Sequence, residues 1–280
     1  MKKIFYLTMI VFFLSLLIFF IPKYFLAESN VSQEINQEQR QNENKENSQE
    51  ETEKIIPTQA KVPILIYHHI RDFSAKDSTN DKTFIVPAVD FSKQLEYLKN
   101  EGFESILFKD LIDYFNGDFS MPDKPVIISF DDGLKNQFNN AFPLLVENGF
   151  KATFFIFTNP IGKNSNYMNW EEVNQLHDAG MEIGVHGHYH LFLDRISQEE
   201  LEKEIVLSRQ IIEDNINSEV SVIAYPFGSY NEDAINKLKG KGYLAARGIT
   251  NGVFHTKDDM FKLKGYFITD NFSRFKNIVD

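Results

Sequence analysis

The sequence predicts an α/β fold in which about seven parallel strands form a (β/α) barrel. Short β-rich runs alternate with amphipathic stretches from residue 61 to 280, which is typical of parallel strands joined by helices. An open doubly wound sheet would show the same alternation. However, Asp131, His186 and the segment 225–228 all follow predicted strands that are not neighbours in sequence. A barrel gathers its active site at such carboxyl ends, so we favour the barrel.

The elements follow from the apolar pattern and from glycines that end helices. Strands are predicted at 63–67, 104–107, 126–130, 153–157, 182–185, 222–225 and 243–246. Helices are predicted at 91–100, 137–148, 170–179, 198–215 and 232–239. We expect Gly102, Gly149 and Gly180 to end three of these helices.

The N-terminal residues 1–27 are predicted to form a membrane segment. Residues 4–22 are almost wholly apolar, carry no charge and follow Lys2 and Lys3, so they are long enough to cross a bilayer. The cleavage signal before Ala27 is weak, which favours a retained anchor over a signal peptide. We therefore expect a single-pass cell-membrane protein with its domain outside the cell, or a secreted protein if the segment is cleaved.

Residues 28–60 are rich in Glu, Gln, Asn and Ser, and this composition predicts a disordered linker. Residues 61–280 suffice for one domain with a sizeable core. Part of the net charge of -11 lies in the linker, and no basic tract indicates a nucleic-acid partner. The chain has no cysteine, which excludes disulfides and thiolate metal ligands.

Two adjacent carboxylates, Asp131 and Asp132, follow the predicted strand 126–130. Both cannot be buried without a cation or water, because an unpaired buried charge is costly. One carboxylate with His186 and His190 makes three ligands with open positions, as in catalytic metal sites, and leaves the other carboxylate free as a base. The alternative is a helix N-cap followed by a first-turn acid.

Three motifs in this order resemble the polysaccharide deacetylase family with NodB homology, carbohydrate esterase family four. They are Ser-Phe-Asp-Asp-Gly at 129–133, His-x-x-x-His at 186–190 and Ala-Tyr-Pro-Phe-Gly at 224–228. The resemblance implies an irregular (β/α) barrel that hydrolyses N- or O-acetyl groups on polysaccharides with a divalent ion. Zinc is favoured, although cobalt, nickel or iron would also suit these ligands.

The resemblance also assigns roles. The metal ligands would be Asp132, His186 and His190. Asp131 would be the general base, and the backbone near Phe227, with Tyr225 beside it, would bind the oxyanion or substrate.

Tyr-His-His at 67–69 resembles the opening motif of the branch that deacetylates poly-N-acetylglucosamine exopolysaccharide. This resemblance makes His68 the candidate general acid. A structural histidine bonded to the backbone is the alternative. We expect His188, between the two ligand histidines, to face solvent.

Two residues depart from the family pattern. Gly187 stands where a Ser or Thr is usual, and Ala224 stands where many members have an arginine that orients the base. The late Leu-His-Asp motif also has no counterpart. These differences favour the exopolysaccharide branch or an impaired enzyme.

We therefore expect an anchored, metal-dependent N-deacetylase whose partner is an extracellular N-acetylglucosamine polymer, with the membrane bound only through the N-terminal helix. Poly-N-acetylglucosamine is favoured as the substrate. Peptidoglycan or chitin oligomers, and a non-catalytic glycan-binding protein, are the alternatives.

Overall fold

The computed structural model describes residues 56–280. The predicted membrane segment 1–27 and most of the predicted linker 28–60 lie outside the described residues. Among the helices of the described part, none combines the length and apolar character that a membrane crossing requires.

Most of the strands form one parallel sheet. In chain order the strands are β1 (Gln59–Lys61), β2 (Ile64–Tyr67), β3 (His69–Ile70), β4 (Ile85–Val86), β5 (Glu104–Ser105), β6 (Pro125–Phe130), β7 (Thr153–Ile156), β8 (Glu182–Val185), β9 (Val222–Ala224), β10 (Ala245–Arg247), β11 (Phe254–Thr256) and β12 (Tyr266–Phe267). The parallel sheet has the order β10-β9-β8-β7-β6-β2-β12, and β5 pairs with the start of β6. Each of the seven predicted strands is present.

The helices cover the outside of this sheet or close the end opposite the carboxyl ends of its strands. They are α1 (Thr79–Lys82), α2 (Ala88–Asn100), α3 (Phe108–Asn116), α4 (Phe142–Asn148), α5 (Trp170–Asp178), α6 (Gln198–Glu202), α7 (Ser208–Ile216), α8 (Glu232–Gly240) and α9 (Phe272–Val279). A π-helical turn, Gln137–Ala141, precedes α4, and a second one, Lys203–Leu207, joins α6 to α7. The five predicted helices are therefore present, two of them with a π-helical turn, whereas α1, α3 and α9 were not predicted.

The predicted glycine signals are also confirmed. Gly102, Gly149 and Gly180 have φ angles of 77°, 79° and 79°. This left-handed conformation is the one that commonly ends a helix.

The sheet curves into a half-barrel whose edge strands β10 and β12 are not paired with each other. The segment 260–265, which leads into β12, lies in the gap between them. Its Leu263 exchanges backbone hydrogen bonds with Ala246 and Gly248 beside β10, and the N–H of Ile268 donates to Ile66 on β2. The predicted α/β barrel class is confirmed in this incompletely paired form.

Alternate residues along the strands pack into two apolar clusters, as the period of two for a strand requires. Leu65, Ile128 and Phe154 pack outward against the helices. Ile64, Ile127 and Phe155 face the barrel interior, where they meet α3. Helix α3 thus closes the lower end of the barrel, opposite the carboxyl ends of the strands.

Strand β1 begins inside the span that was predicted as linker. Ala60 is buried and pairs with His255 of β11. Regular structure therefore starts before residue 61, because this short strand covers apolar surface beside the barrel.

The start of α3 is held by a side chain from a distant strand. The Glu182 carboxylate of β8 accepts hydrogen bonds from the backbone N–H groups of Phe108 and Lys109, both at 3.0 Å. It also accepts the hydroxyl of Thr153 at 2.6 Å. Glu182 thus satisfies two of the N–H groups that the first turn of a helix leaves without partners.

We predict that Glu182→Ala lowers the free energy of unfolding by roughly 2 kcal/mol, because two part-buried donors and one exposed N–H would lose their acceptor. Chemical denaturation followed by circular dichroism measures this loss. Glu104→Ala, at an exposed position of β5, is the control and should change little. Equal stability of the two variants would contradict the role of Glu182.

Candidate active site

Four polar side chains meet at the upper end of the barrel interior. His68 follows β2, Asp131 follows β6, His186 follows β8, and Arg247 is the last residue of β10. Each continues the alternation that points Ile64, Ile127 and their equivalents inward. The strand period therefore brings residues that are distant in sequence into one site.

Asp132, His186 and His190 lie together as a possible metal site. The Asp132 Oδ1 atom lies 3.5 Å from the Nε2 atom of each histidine. The two Nε2 atoms are 3.2 Å apart. A tetrahedral zinc ion with bonds of about 2.0–2.1 Å would separate its ligand atoms by about 3.3–3.4 Å. These three residues thus fit one face of a tetrahedral site.

The protonation of the two histidines suits metal binding. The Nδ1–H of His186 donates to the carbonyl of Ala224 at 2.8 Å, so that Nε2 keeps its lone pair for a metal. Burial lowers the pKa of His186 to about 3 and also lowers the pKa of His190. Both rings are therefore neutral at neutral pH.

Asp132 is the ligand that gains most from a cation. Burial and then the charge of Asp131 raise the pKa of Asp132 to about 7. A divalent ion at this position would offset both effects and keep the carboxylate ionised.

Asp131 lies beside these three residues but has a different partner. Its Oδ1 atom accepts a hydrogen bond from the Arg247 guanidinium. Its Oδ2 atom lies 4.0 Å from the Nε2 atoms of both His68 and His186. Burial acts to raise the pKa of Asp131, but the charge of Arg247 and then the two histidines outweigh it and lower the pKa to about 2.

The alternative that Asp131 and Asp132 cap a helix is wrong. The next helical turn begins at Gln137 with Asn136 at its N-cap. Asp132 instead has a φ of 80°, and His190 and Phe227 have φ angles of 60° and 58°. Such left-handed backbone is costly for residues other than glycine and often marks functional sites.

Arg247 is a site residue that the sequence analysis missed. It is paired in register with Ala224 on the adjacent strand, and its guanidinium lies 5.2 Å from the Phe155 ring centroid. The arginine expected at position 224 is therefore replaced by one from the neighbouring strand. A lone arginine in an apolar run, Ala-Ala-Arg-Gly at 245–248, was the available signal.

The second departure, Gly187, also has a structural reason. A Cβ at residue 187 would lie 2.3 Å from the Glu204 Oε2 atom, and Gly187 has a φ of +85°. The buried Glu204 carboxylate accepts the N–H groups of His188, Tyr189 and Leu191 at 3.2, 2.7 and 3.2 Å. Glu204 thus holds the loop that carries His190 and takes the place of the missing hydroxyl.

His68 lies beside Asp131, because the strands that precede them, β2 and β6, are paired. Its ring packs between Phe84 and Phe267, with centroid distances of 5.1 and 5.4 Å. Burial lowers the pKa of His68 to about 4, although Asp131 acts in the opposite direction. The ring is thus neutral at neutral pH before any proton is transferred.

Tyr225 and Phe227 differ in what they offer the site. The Tyr225 hydroxyl donates to the carbonyl of Phe261 at 3.0 Å and its ring stacks on Tyr230, so the hydroxyl is already engaged in the core. Burial raises the pKa of Tyr225. Phe227 lies at the rim beside His190, with ring centroids 4.4 Å apart. The oxyanion role of its backbone stays a prediction.

The expectation that His188 faces solvent is wrong. Only 8% of the residue is exposed, and its Nδ1 atom lies 2.7 Å from the Thr158 hydroxyl oxygen. The Glu204 contacts turn the loop so that His190 reaches the metal site while His188 packs below it.

A cavity of about 480 Å³ opens above these groups, and its walls combine the triad, Asp131 and His68 with apolar side chains. His69, Arg71, Asp81, Phe227 and Ile249 also line it. On the rim, Phe227 stacks on Phe192 with ring centroids 4.0 Å apart, and both rings are substantially exposed. The cavity can accept a ligand with both polar and apolar faces.

Comparisons with known proteins agree with this site. Residues 119–246 match the polysaccharide deacetylase family. A putative polysaccharide deacetylase of Bacillus subtilis strain 168, YxkH, is 27% identical over 184 residues, which cover 66% of this chain and 63% of that protein. The chain thus spans slightly less than two thirds of this relative.

Two further similarities concern a named enzyme and a solved structure. A poly-beta-1,6-N-acetyl-D-glucosamine N-deacetylase of Staphylococcus epidermidis is 29% identical over 219 residues, covering 69% of this chain and 74% of that protein. The structure of the Streptococcus pyogenes deacetylase PplD in complex with acetate superposes with a TM-score of 0.74 at 22% identity. It covers 80% of this chain and 100% of that one, and it shows the shared fold.

The matched segment 119–246 contains Asp131, Asp132, His186 and His190, the same residues that converge at the end of the barrel. The chain therefore contains a polysaccharide deacetylase domain, to which the matched residues 119–246 belong.

Proposed function

We propose that the protein is an extracellular, metal-dependent N-deacetylase of N-acetylglucosamine units in a polysaccharide. The observation that carries this proposal is that two adjacent carboxylates have different partners. Asp132 converges with two histidines, whereas Asp131 is held ionised by Arg247 at the edge of the same cavity. A hydrolase that activates water with a metal ion uses both metal ligands and a separate base.

The reaction adds water to the acetyl carbonyl carbon and breaks the bond between that carbon and the sugar nitrogen. A bound divalent ion would polarise the carbonyl and lower the pKa of a water molecule. Asp131 accepts the proton that the attacking water loses, and Arg247 keeps Asp131 ionised and oriented until then. A proton must afterwards reach the leaving nitrogen, so that acetate and a free amine are the products.

His68 is the candidate for delivering that proton. Because its ring is neutral at rest, it acts by taking the proton from Asp131, 4.0 Å away, and passing it to the amine. Its packing between two phenylalanine rings fixes the ring orientation that such a transfer requires.

The favoured substrate is poly-β-1,6-N-acetylglucosamine, and the favoured metal is zinc. The similarity to the Staphylococcus epidermidis enzyme supports this choice of polymer. The spacing of Asp132, His186 and His190 supports a tetrahedral zinc site. Peptidoglycan and chitin oligomers remain the alternative substrates, because cavity-lining loops rather than the metal site select the polymer. The extracellular site and the anchor at 1–27 belong to the same proposal.

A non-catalytic glycan-binding protein is the competing function. Two contacts weigh against it. Arg247 binds Asp131 in place of the arginine that is absent at Ala224, and Glu204 holds the loop in place of the hydroxyl that is absent at Gly187. A binding protein would have no need for an arginine that keeps a spare carboxylate ionised.

Acetate release tests the proposal. The zinc-loaded protein is incubated with poly-β-1,6-N-acetylglucosamine, peptidoglycan and chitin oligomers, each with and without a chelator. Chelator-sensitive release from one polymer supports the enzyme and identifies its substrate. No release from any polymer by folded, metal-loaded protein would favour the binding function.

We predict that Asp132→Ala loses bound metal and activity together, whereas Asp131→Asn keeps the metal and loses turnover by more than about 100-fold. Metal analysis and acetate release measure the two effects. An Asp131→Asn protein without metal would overturn this division of roles.

We predict that Arg247→Met lowers turnover by about 100-fold at unchanged metal content, because it removes the charge that keeps Asp131 ionised. With the pKa of Asp131 raised, the acid limb of the pH–rate profile should move to higher pH. The double variant Ala224→Arg/Arg247→Ala should recover part of the activity, since residues 224 and 247 are paired in register. An unchanged pH profile in Arg247→Met would contradict the role of this arginine.

We predict that His68→Ala lowers turnover without altering metal content, since His68 is not one of the three proposed metal ligands. Single-turnover assays should show slower release of the amine. His177→Ala, on α5 and outside the cavity, is the control. Full activity of His68→Ala would remove His68 from the mechanism.

A further inference from the structure

His69, the residue after the candidate acid, also lines the cavity. Consecutive residues of one strand point to opposite faces, so His68 and His69 would be separated if β2 continued. The chain instead leaves the main sheet after Tyr67, and β3 pairs with β4 in a separate two-stranded sheet. This change of direction lets both histidines face the same cavity.

Asn136 fixes the proton position on the His69 ring. The Asn136 Oδ1 atom accepts the backbone N–H of Ile70 at 2.8 Å. A backbone N–H can only donate, so this bond sets the orientation of the Asn136 amide. Its Nδ2 group then faces the His69 Nδ1 atom at 3.0 Å and donates to it. In the neutral ring, Nε2 must carry the hydrogen.

Two further amides hold the same segment in place. Gln137 Nε2 donates to the carbonyl of His68 at 2.9 Å, and Asn140 Nδ2 donates to the carbonyl of Ile70 at 2.7 Å. These side chains belong to the π-helical turn Gln137–Ala141 or to the residue before it. The turn therefore fixes residues 68–70 relative to Asp131, which lies only a few positions earlier in the chain.

The Nε2–H of His69 has no protein partner within residues 56–280 and is not among the fully buried polar atoms there. Burial and then the charge of Arg71 lower the pKa of His69, in agreement with a neutral ring. His69, which lines the cavity, thus carries an N–H donor of fixed position that no described residue accepts.

We propose that His69 is a substrate-binding residue whose Nε2–H donates a hydrogen bond to a hydroxyl or ether oxygen of the sugar being deacetylated, with Asn136 as the positioning residue that sets its tautomer. The inference rests on the proposed function, because the ligand is the same N-acetylglucosamine polymer. His69 sets affinity and orientation, whereas the metal ligands and Asp131 carry the chemistry.

Binding is measured apart from turnover so that the two proposals can fail separately. A β-1,6-linked N-acetylglucosamine oligomer is titrated calorimetrically into zinc-loaded, full-length Asp131→Asn protein, with and without His69→Leu. Loss of a neutral hydrogen bond should weaken binding about three- to ten-fold. His69→Gln, whose amide N–H can reach the Nε2 position, should restore most of the affinity.

In the otherwise wild-type protein, His69→Leu should raise KM by a similar factor while kcat and zinc content change little. The nitrogen-15 spectrum of the full-length protein should show Nε2 of His69 as the protonated ring nitrogen. Equal oligomer affinity with and without His69→Leu, no oligomer binding to either protein, or a proton on Nδ1 would each overturn the inference. Absent acetate release with intact, His69-dependent binding would instead overturn only the deacetylase proposal.

Discussion

The buried ion pair between Asp131 and Arg247 is the interaction on which the site depends. Two adjacent carboxylates in a mostly buried place cannot both stay ionised without compensation. Arg247 compensates one of them, and the other, Asp132, lies with His186 and His190 in the possible metal site. Without the arginine, burial would favour a protonated Asp131, which could not accept a proton from water. The pair therefore maintains the difference between the two carboxylates on which the proposed roles of ligand and base rest.

The same chemical tasks are performed here by residues from unexpected elements. An arginine on β10 takes the place of one expected on β9, and a carboxylate from a π-helical turn takes the place of a loop hydroxyl. The arginine can be exchanged because parallel strands in register bring residues of adjacent strands to one level of the barrel, whereas Glu204 reaches the loop from the helical layer outside the sheet. A residue that is missing from a sequence motif can therefore be replaced by a neighbour in space that makes an equivalent contact.

The strands, the order of the motifs and the convergence of Asp131, Asp132 and His186 could be predicted, because local apolar pattern and strand ends are encoded in consecutive residues. Arg247 and Glu204 could not, since their roles depend on pairing between distant segments. The burial of His188 and the engaged hydroxyl of Tyr225 were missed for the same reason. Helix α3 was missed although its signals are local, since Phe108, Leu111, Ile112 and Phe115 recur at helical spacing and Gly117 ends the helix.

The most direct test of the account is anomalous diffraction at the zinc edge from crystals of the zinc-loaded protein. We expect one metal ion bound by Asp132 Oδ1 and the Nε2 atoms of His186 and His190. Asp131 should stay bonded to Arg247 and outside bonding distance of the metal. An ion bound by Asp131, or an Arg247 turned away from Asp131 in the loaded site, would contradict the division of the two carboxylates.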